Sequence, residues 1–324
     1  MENCLQSKSI YHQLCDNHPE IPLFLQAWWM EMVCLGKDWD VILIRNNSGD
    51  IVAFMPYLLV KKWGFRMVLQ PLLSQTNGVW IFYNGNESDD EKIVLNKMVA
   101  DALEKELKRL NLDWYFQYFH PQSSIPDILR ERGFLVSSRQ TFVIPDISDE
   151  KKLMNSFSSA KQRQIRKAIR NNLRVDFTMN PEDFVLFHTA CLNQKGENNF
   201  HAPEVEISLC REAINRSQGA IISVLDNENH LHSALFFVWD ASTAYYLIPA
   251  IDSNYRSSGA SSLMVWAAIK MVRNRVKIFD FEGSMDENIA RSYKQFGTER
   301  VEYAKVERVN SIFIRLLKTI KGTM

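Results

Sequence analysis

The chain has 324 residues, more than one ordinary hydrophobic core uses, so two domains are expected. Its 46% hydrophobic and 23% charged residues exclude a disordered chain, and 38 basic against 38 acidic residues leave no whole-molecule field to recruit nucleic acid, so no DNA partner is expected. Met1-Glu2-Asn3-Cys4 lacks a charged-then-apolar leader, runs such as Ala234–Trp239 are strand-sized, and five cysteines without a CxxC pair exclude a disulfide framework and disfavour zinc, which together point to a cytoplasmic protein with no metal and no membrane span.

In chain order, Pro22 to Leu35 reads as an amphipathic helix with Phe24, Leu25, Trp28, Trp29, Met32 and Val33 at helical spacing, the tryptophans packing rather than forming a substrate platform. Trp39–Arg45 and Ile51–Val60 form a hairpin across Asn46-Asn47-Ser48-Gly49-Asp50. Gln70–Asn86 reads as a structured loop or short strands. A long helix from about Asp89 to Leu110, a strand Asp113–Phe119, a short helix ending Leu129-Arg-Glu-Arg-Gly133 and a last strand complete the first half. Pro145-Asp146-Ile147-Ser148-Asp149-Glu150 breaks the pattern, and Ser148 or Asp149 can cap the next helix, which places the domain boundary there, with domains 1–148 and 149–324.

The second half opens with a helix from Glu150 to about Asn171, and no acid occurs from Lys151 to Val175. On that helix Arg163, Arg166, Lys167 and Arg170 share one face at i, i+3, i+4, i+7. Such a stripe suits the phosphates of a tRNA, a nucleotide-linked acceptor or CoA, and it also suits a plain solvated face. Helices at Pro181–Gln194 and Glu204–Ser217 precede a hairpin across Asp226–His230, whose His230 and His232 read as hairpin surface. On the strand Thr243–Ile251, Tyr245 and Tyr246 point to opposite faces, so one can line a substrate site; Tyr246 is the candidate. A helix from Gly259 to about Asn274, a strand Lys277–Glu282, a helix ending Tyr293-Lys-Gln-Phe-Gly297 and a last strand follow. The closing helix, Ser311–Lys321, carries Ile312, Phe313, Leu316, Leu317 and Ile320 on one side and Arg315, Lys318 and Lys321 on the other. It is long enough to pack on the domain and too short for a firm membrane anchor, which leaves peripheral membrane contact open.

These halves read as one structural sentence written twice. Asp113 and Lys277 are offset by 164 positions, as are Gly133 and Gly297, while the hairpin turns at Asn46 and Asp226 are offset by 180. An internal duplication with extra loop around Gln70–Asp89 in the first copy accounts for the mismatch and gives an α/β or α+β class with mixed sheets.

Only the second copy keeps residues suited to chemistry. Tyr255-Arg256-Ser257-Ser258-Gly259-Ala260-Ser261-Ser262 opens a helix, where free N–H groups and the dipole favour an anion and Arg256 adds a charge. The same octet also reads as an ordinary strand-to-helix turn with serine caps. Tyr293 can protonate a leaving group, and Glu282, at the end of a central strand, can take a proton from an amine. Each also has a bland reading, as a core aromatic and as a carboxylate binding turn N–H groups. The first copy has Leu129 in place of the phenol and Asn86-Glu87-Ser88-Asp89-Asp90-Glu91 in place of the anion-attracting turn, and purely structural roles would serve both copies equally.

Arg256-x-x-Gly259-x-Ser261 and Tyr293-x-x-x-Gly297 resemble the acyl-CoA-binding loop and terminal tyrosine of the GNAT N-acyltransferase fold. Ser261 stands where that loop usually has Gly or Ala, and Thr298 where Phe usually follows the last glycine. The wider layout is similar to the tandem-GNAT Fem family, and within it to bacterial FemAB-like acyltransferases, through Lys161–Arg170, Trp239-Asp240 and Phe279-Asp-Phe-Glu-Gly-Ser284. The resemblance implies two GNAT-like domains around a shared cleft, the first lacking the donor motifs. It implies an N-acyltransferase that moves an acyl or aminoacyl group to an amine, possible acceptors being cell-wall or cell-envelope precursors. Acyl-CoA is the expected co-substrate and aminoacyl-tRNA the alternative, with no permanently bound cofactor. Arg256, Gly259, Ala260 and Ser261 would then hold the donor, Glu282 and Tyr293 would be catalytic, and Arg163, Arg166, Lys167, Arg170 and Tyr246 would meet substrate. A non-catalytic protein that keeps the ligand site without turnover is the rival reading.

Overall fold

The computed structural model describes residues 4–283 and 285–321; Met1–Asn3 and Ser284, quoted above, lie outside them. Residues 140–301 form one compact unit, and the described residues on either side form the other.

The first unit begins with helix α1 (Cys4–Asn17), a single 3-10 turn (Leu23–Leu25) and α2 (Ala27–Val33). The expected single helix from Pro22 is therefore broken, because Gln26 is extended (φ −78°, ψ 143°) and its side chain donates to the Ile21 carbonyl at 2.7 Å. Trp28 and Trp29 are buried, as expected of packing residues. Strands β1 (Trp39–Arg45), β2 (Ile51–Lys62) and β3 (Phe65–Leu69) form an antiparallel meander, and β4 (Trp80–Ile81) adds a short pairing with β2. Helix α3 (Asp89–Arg109) starts at a capping box in which Ser88 and Glu91 satisfy each other's N–H groups. Strand β5 (Trp114–Tyr118), helix α4 (Ile125–Glu131) and strand β6 (Leu135–Ile144) follow.

In the second unit the expected helix from Glu150 is two helices, α5 (Glu150–Ser156) and α6 (Ser159–Arg170). Phe157 is extended and buried at the break, and the Ser158 hydroxyl caps α6 by accepting from the Lys161 N–H. A short β7 (Arg174–Asp176), helices α7 (Pro181–Asn193) and α8 (Pro203–Asn215), and strands β8 (Gly219–Leu225), β9 (Leu231–Trp239) and β10 (Thr243–Ile251) lead to α9 (Ala260–Val272). Then come β11 (Ile278–Asp280), α10 (Glu287–Lys294), β12 (Glu299–Val309) and α11 (Ile312–Lys321). Residues 232–239 of β9 are buried throughout, since α9 covers one face of the sheet and α7 with α8 the other. That is why the run Ala234–Trp239 is apolar without alternation.

Strand order shows the duplication directly. The first unit runs β1-β2-β3-β5-β12, and the second runs β8-β9-β10-β11-β6 with β7 outside β8. Both β5 and β11 lie parallel to the preceding strand (β3, β10) and antiparallel to a last strand. Strand β3, hidden in sequence behind the Trp63-Gly64 turn, is thus the counterpart of β10. The last strands are exchanged: β12 completes the first unit by pairing Lys305–Val309 with Trp114–Tyr118, and Val143 and Ile144 of β6 pair with β11 in the second. The compact units therefore differ from the division at 148/149 expected from the linear repeat, because hydrogen bonding assigns each final strand by its partner rather than by its copy.

A chain ending at Val301 is expected to leave one edge of β5 open and remove the buried Val306 from the first core, giving an aggregating protein, whereas one ending at Asn310 stays soluble. Size-exclusion chromatography of the two truncations distinguishes these outcomes.

Candidate active site

The second unit brings together a carboxyl group and two phenols at the end of β11. The β10–β11 pairing stops at Tyr245–Asp280, and β10 carries a register shift against β9 between Tyr245 and Ile248. Beyond Asp280 the chain turns sharply: Glu282 (φ 60°) and Gly283 (φ 67°) are both left-handed. A Cβ on Gly283 would stand 2.1 Å from the Gln140 carbonyl, so only glycine fits. Asp280 is buried and holds the turn; its Oδ1 accepts the Glu282 N–H at 2.7 Å and the Thr141 hydroxyl. A left-handed glutamate is costly, roughly 1–3 kcal/mol, and such strain concentrates at functional sites.

Oε1 of Glu282 is enclosed without a hydrogen-bond partner among the described residues. Burial, and then the Asp280 charge, hold this carboxyl well above the usual carboxylate range. Tyr293 on α10 packs against Phe281 (ring centroids 4.9 Å), Tyr246 (6.1 Å) and Phe142 (6.3 Å). Burial pushes its phenol up, with the Glu282 and Asp280 charges adding to the effect. Tyr246, likewise raised by burial and then by Tyr293, lies on Phe281 at 5.5 Å. Its neighbour Tyr245 donates to Asp240 at 3.0 Å, so the two tyrosines do part to opposite faces, both buried.

The helix start at α9 is a separate cluster. Gly259 is its left-handed N-cap (φ 87°) and makes no side-chain cap, Ala260 is buried, and Ser261 is half-buried. The Ser258 hydroxyl accepts the Ala260 N–H at 3.2 Å, and Arg256 is exposed. Lys167 of the basic stripe donates to the Ser257 carbonyl at 2.7 Å, which fastens α6 to this turn. Arg163, Arg166 and Arg170 are exposed and make no ion pair among the described residues; Arg166 donates to Gln162 at 2.9 Å. The glycine has a packing reason of its own, since a Cβ there would stand 2.3 Å from the Gln164 carbonyl.

Residues 159–295 match the family model of the Acetyltransferase (GNAT) domain. The fold matches a crystal structure of FemX with a TM-score of 0.68 at 14% identity, covering 90% of this chain and 95% of FemX. The chain has the tandem GNAT fold. It also matches the C-terminal domain of a protein assigned as a lysylphosphatidylglycerol synthetase from Agrobacterium fabrum (TM-score 0.58, 9% identity, 98% and 97% covered). A tandem GNAT protein from the clavulanic acid biosynthesis pathway matches with a TM-score of 0.55 at 12% identity, 94% and 95% covered. None of the curated proteins matches.

Several sequence expectations are refined by the structure. His232 is buried rather than on the hairpin surface: it stacks on Tyr255 at 3.8 Å and shares the Asp226 carboxylate with the exposed His230. No group of metal-binding side chains occurs among the described residues. Lys161, which lies off the face of the stripe, is buried on α6, with Nζ donating to Ser292 at 3.1 Å and lying 4.6 Å from the Phe296 ring centre. Burial lowers its pKa. Asp280 and Thr141 hold the turn, a role that the sequence does not reveal; its one signal is the alternation Phe279-Asp-Phe-Glu.

Two outcomes follow from this geometry. Gly259→Ala is expected to cost more than about 2 kcal/mol of stability in denaturant titration without any ligand, through the left-handed backbone and the Gln164 clash. Glu282→Gln is expected to raise the melting temperature near neutral pH. The folded carboxyl is raised, so below the usual value of 4.5 folded and unfolded chains are both protonated and the variant gains nothing; as pH rises past 4.5 the unfolded chain ionises first and wild type loses stability until its own pKa is passed. A gain that grows with falling pH would refute this.

Proposed function

We propose that the second unit transfers an acyl group from an acyl thioester, acyl-CoA, to a primary amine, and that the acceptor is a cell-envelope precursor. The observation that carries the reading is a raised carboxyl (Glu282), with no partner for Oε1 among the described residues, near enough to the phenol of Tyr293 on Phe281 for its charge to raise that phenol. A raised carboxyl is a stronger base than a free one, and a raised phenol keeps its proton until a leaving group needs it. The acceptor ammonium gives one proton to the Glu282 carboxylate, and the resulting amine attacks the carbonyl carbon. The C–S bond breaks, Tyr293 protonates the departing thiolate, and the second proton of the new amide nitrogen restores the phenol. Positioning and electrostatics supply the rest of the rate.

The donor belongs at α9 in this reading. That helix starts with no acid and no side-chain cap on Gly259, while α3, its counterpart, is closed by its own capping box and by Asp89, Asp90 and Glu91. Arg256 and the unpaired Arg163, Arg166 and Arg170 would meet phosphates; Gly259, Ala260 and Ser261 would offer backbone. Tyr246 would line the acyl path. Because the stripe is one short helix, a small phosphorylated donor fits it better than tRNA. Such donors, with the buried free thiols of Cys15, Cys34, Cys191 and Cys210, agree with a cytoplasmic site of action.

The test is acyl transfer from CoA thioesters to amines of envelope precursors. Tyr293→Phe is expected to lower kcat about 100-fold with donor affinity unchanged. Glu282→Gln should lower kcat/KM similarly and abolish an acid limb that lies above the ordinary carboxylate range. Gly259 is a poor probe of phosphate binding, because any side chain there disturbs α6. Arg166→Gln with Arg170→Gln is the better one. If CoA thioesters give no turnover, and salt-sensitive tRNA binding instead flattens in that double variant, the donor is aminoacyl-tRNA.

A further inference from the structure

Helix α11 is mounted with its apolar side outward. At 100° per residue Ile312, Leu316, Phe313 and Leu317 form one stripe, and all four are exposed, Ile312 by 73% and Leu316 by 57%. The side that faces the fold is carried by Ile314, which is buried, and Lys318, which bonds the buried Glu307 and lies 4.9 Å from the Trp114 ring centre. An amphipathic helix that merely closes a core does the reverse.

A second exposed aromatic adjoins it. Trp63 is 83% exposed at the tip of the β2–β3 hairpin, where it is left-handed (φ 53°) beside Gly64 (φ 81°). A bulky ring at that position is disfavoured by the backbone and gains no burial in return. Phe65, on the same hairpin, stacks on Phe313 at 5.7 Å and 9°, which fixes the hairpin against α11 so that both belong to one surface of the first unit.

Charge completes the pattern. Residues 308–324 hold Arg308, Arg315, Lys318 and Lys321 and no acid. On the hairpin, Lys62 lies 4.5 Å from the Trp63 ring centre, and Lys61 pairs with Asp38 at 3.1 Å. The nearest buried acid, Glu307, is neutralised by Lys305 and Lys318.

We propose that the first unit docks on an anionic lipid bilayer through the Trp63 turn and the outward stripe of α11. A narrow apolar stripe flanked by cations and a tryptophan matches the boundary between headgroups and acyl chains, where tryptophan is enriched and basic residues gain from anionic lipid. A helix of ten residues is about 15 Å long, so it lies in the interface and binds reversibly. No helix among the described residues is long and apolar enough to cross a membrane. This inference does not depend on the donor or the acceptor.

The experiment is co-sedimentation of the full chain with phosphatidylcholine vesicles, with and without phosphatidylglycerol. Wild type should sediment with the anionic vesicles, less so at high salt and less with neutral ones. Trp63→Asn, which suits the left-handed turn, combined with Leu316→Gln should weaken binding roughly tenfold or more while circular dichroism and the melting temperature stay unchanged. Wild type left in the supernatant, or equal binding of the variant, overturns the proposal. So does a wild-type dimer in light scattering that the double variant dissolves without any vesicle binding, since the surface is then an interface between two copies.

Discussion

A strand with hydrogen-bonding groups along both edges needs two neighbours, and β11 finds its second in the end of β6. The candidate site rests on that pairing. It brings Thr141 to the Asp280 carboxylate and sets the Gln140 carbonyl beneath Gly283, so the chain leaving β11 has one way to turn. Glu282 is then left-handed, and its carboxyl is carried into a place where Oε1 meets no donor among the described residues. Removing the strand beside β11 would relax the backbone, the strain and the proton affinity together.

The electrostatics of the site come from enclosure more than from pairing. No cation is among the groups that shift Glu282 or Tyr293; burial comes first for both, and the Asp280 charge pushes the same way. Lys161, two positions ahead of the stripe on α6, is kept by Ser292 and the Phe296 face. A site built this way holds protons tightly, at some expense in stability, and it suits proton transfer better than charge binding. In the proposed reading, phosphates are met separately, on the exposed side of α6 and at the start of α9.

Local patterns made the hairpins, α3, α7, α8, α9 and the duplication legible in the sequence, since periodicity, caps and turn residues agree there. What stayed hidden depends on tertiary context. The break at Phe157-Ser158 looks helical until the buried Phe157 ring is seen to direct the chain. Strand β3 follows a turn headed by tryptophan, which no turn rule expects. Of the candidate site, Glu282 and Tyr293 stand out in the sequence through the contrast with the first copy; in the structure Tyr293 packs on Phe281, and the Glu282 charge is among those that raise its phenol. Asp280 and Lys161 do not stand out, because their importance lies in burial, which composition does not reveal. In the sequence the Arg256 turn suits both a ligand and an ordinary helix start, and the Gln164 carbonyl that by itself demands Gly259 comes from a distant helix.

The exchange of last strands also orders events in time. Trp114 and Glu307, bonded at 2.6 Å, are 193 residues apart in sequence. During synthesis, β5 therefore emerges from the ribosome with one edge open and waits for nearly the whole remaining chain before β12 can close it. The second unit needs only a strand already made, so it can mature first although it is encoded later. An open edge held for that long is a template for wrong pairing. Expression of this protein should accordingly be sensitive to whatever shields nascent chains, and a rearranged gene that places residues 302–321 ahead of residue 4 would remove the delay.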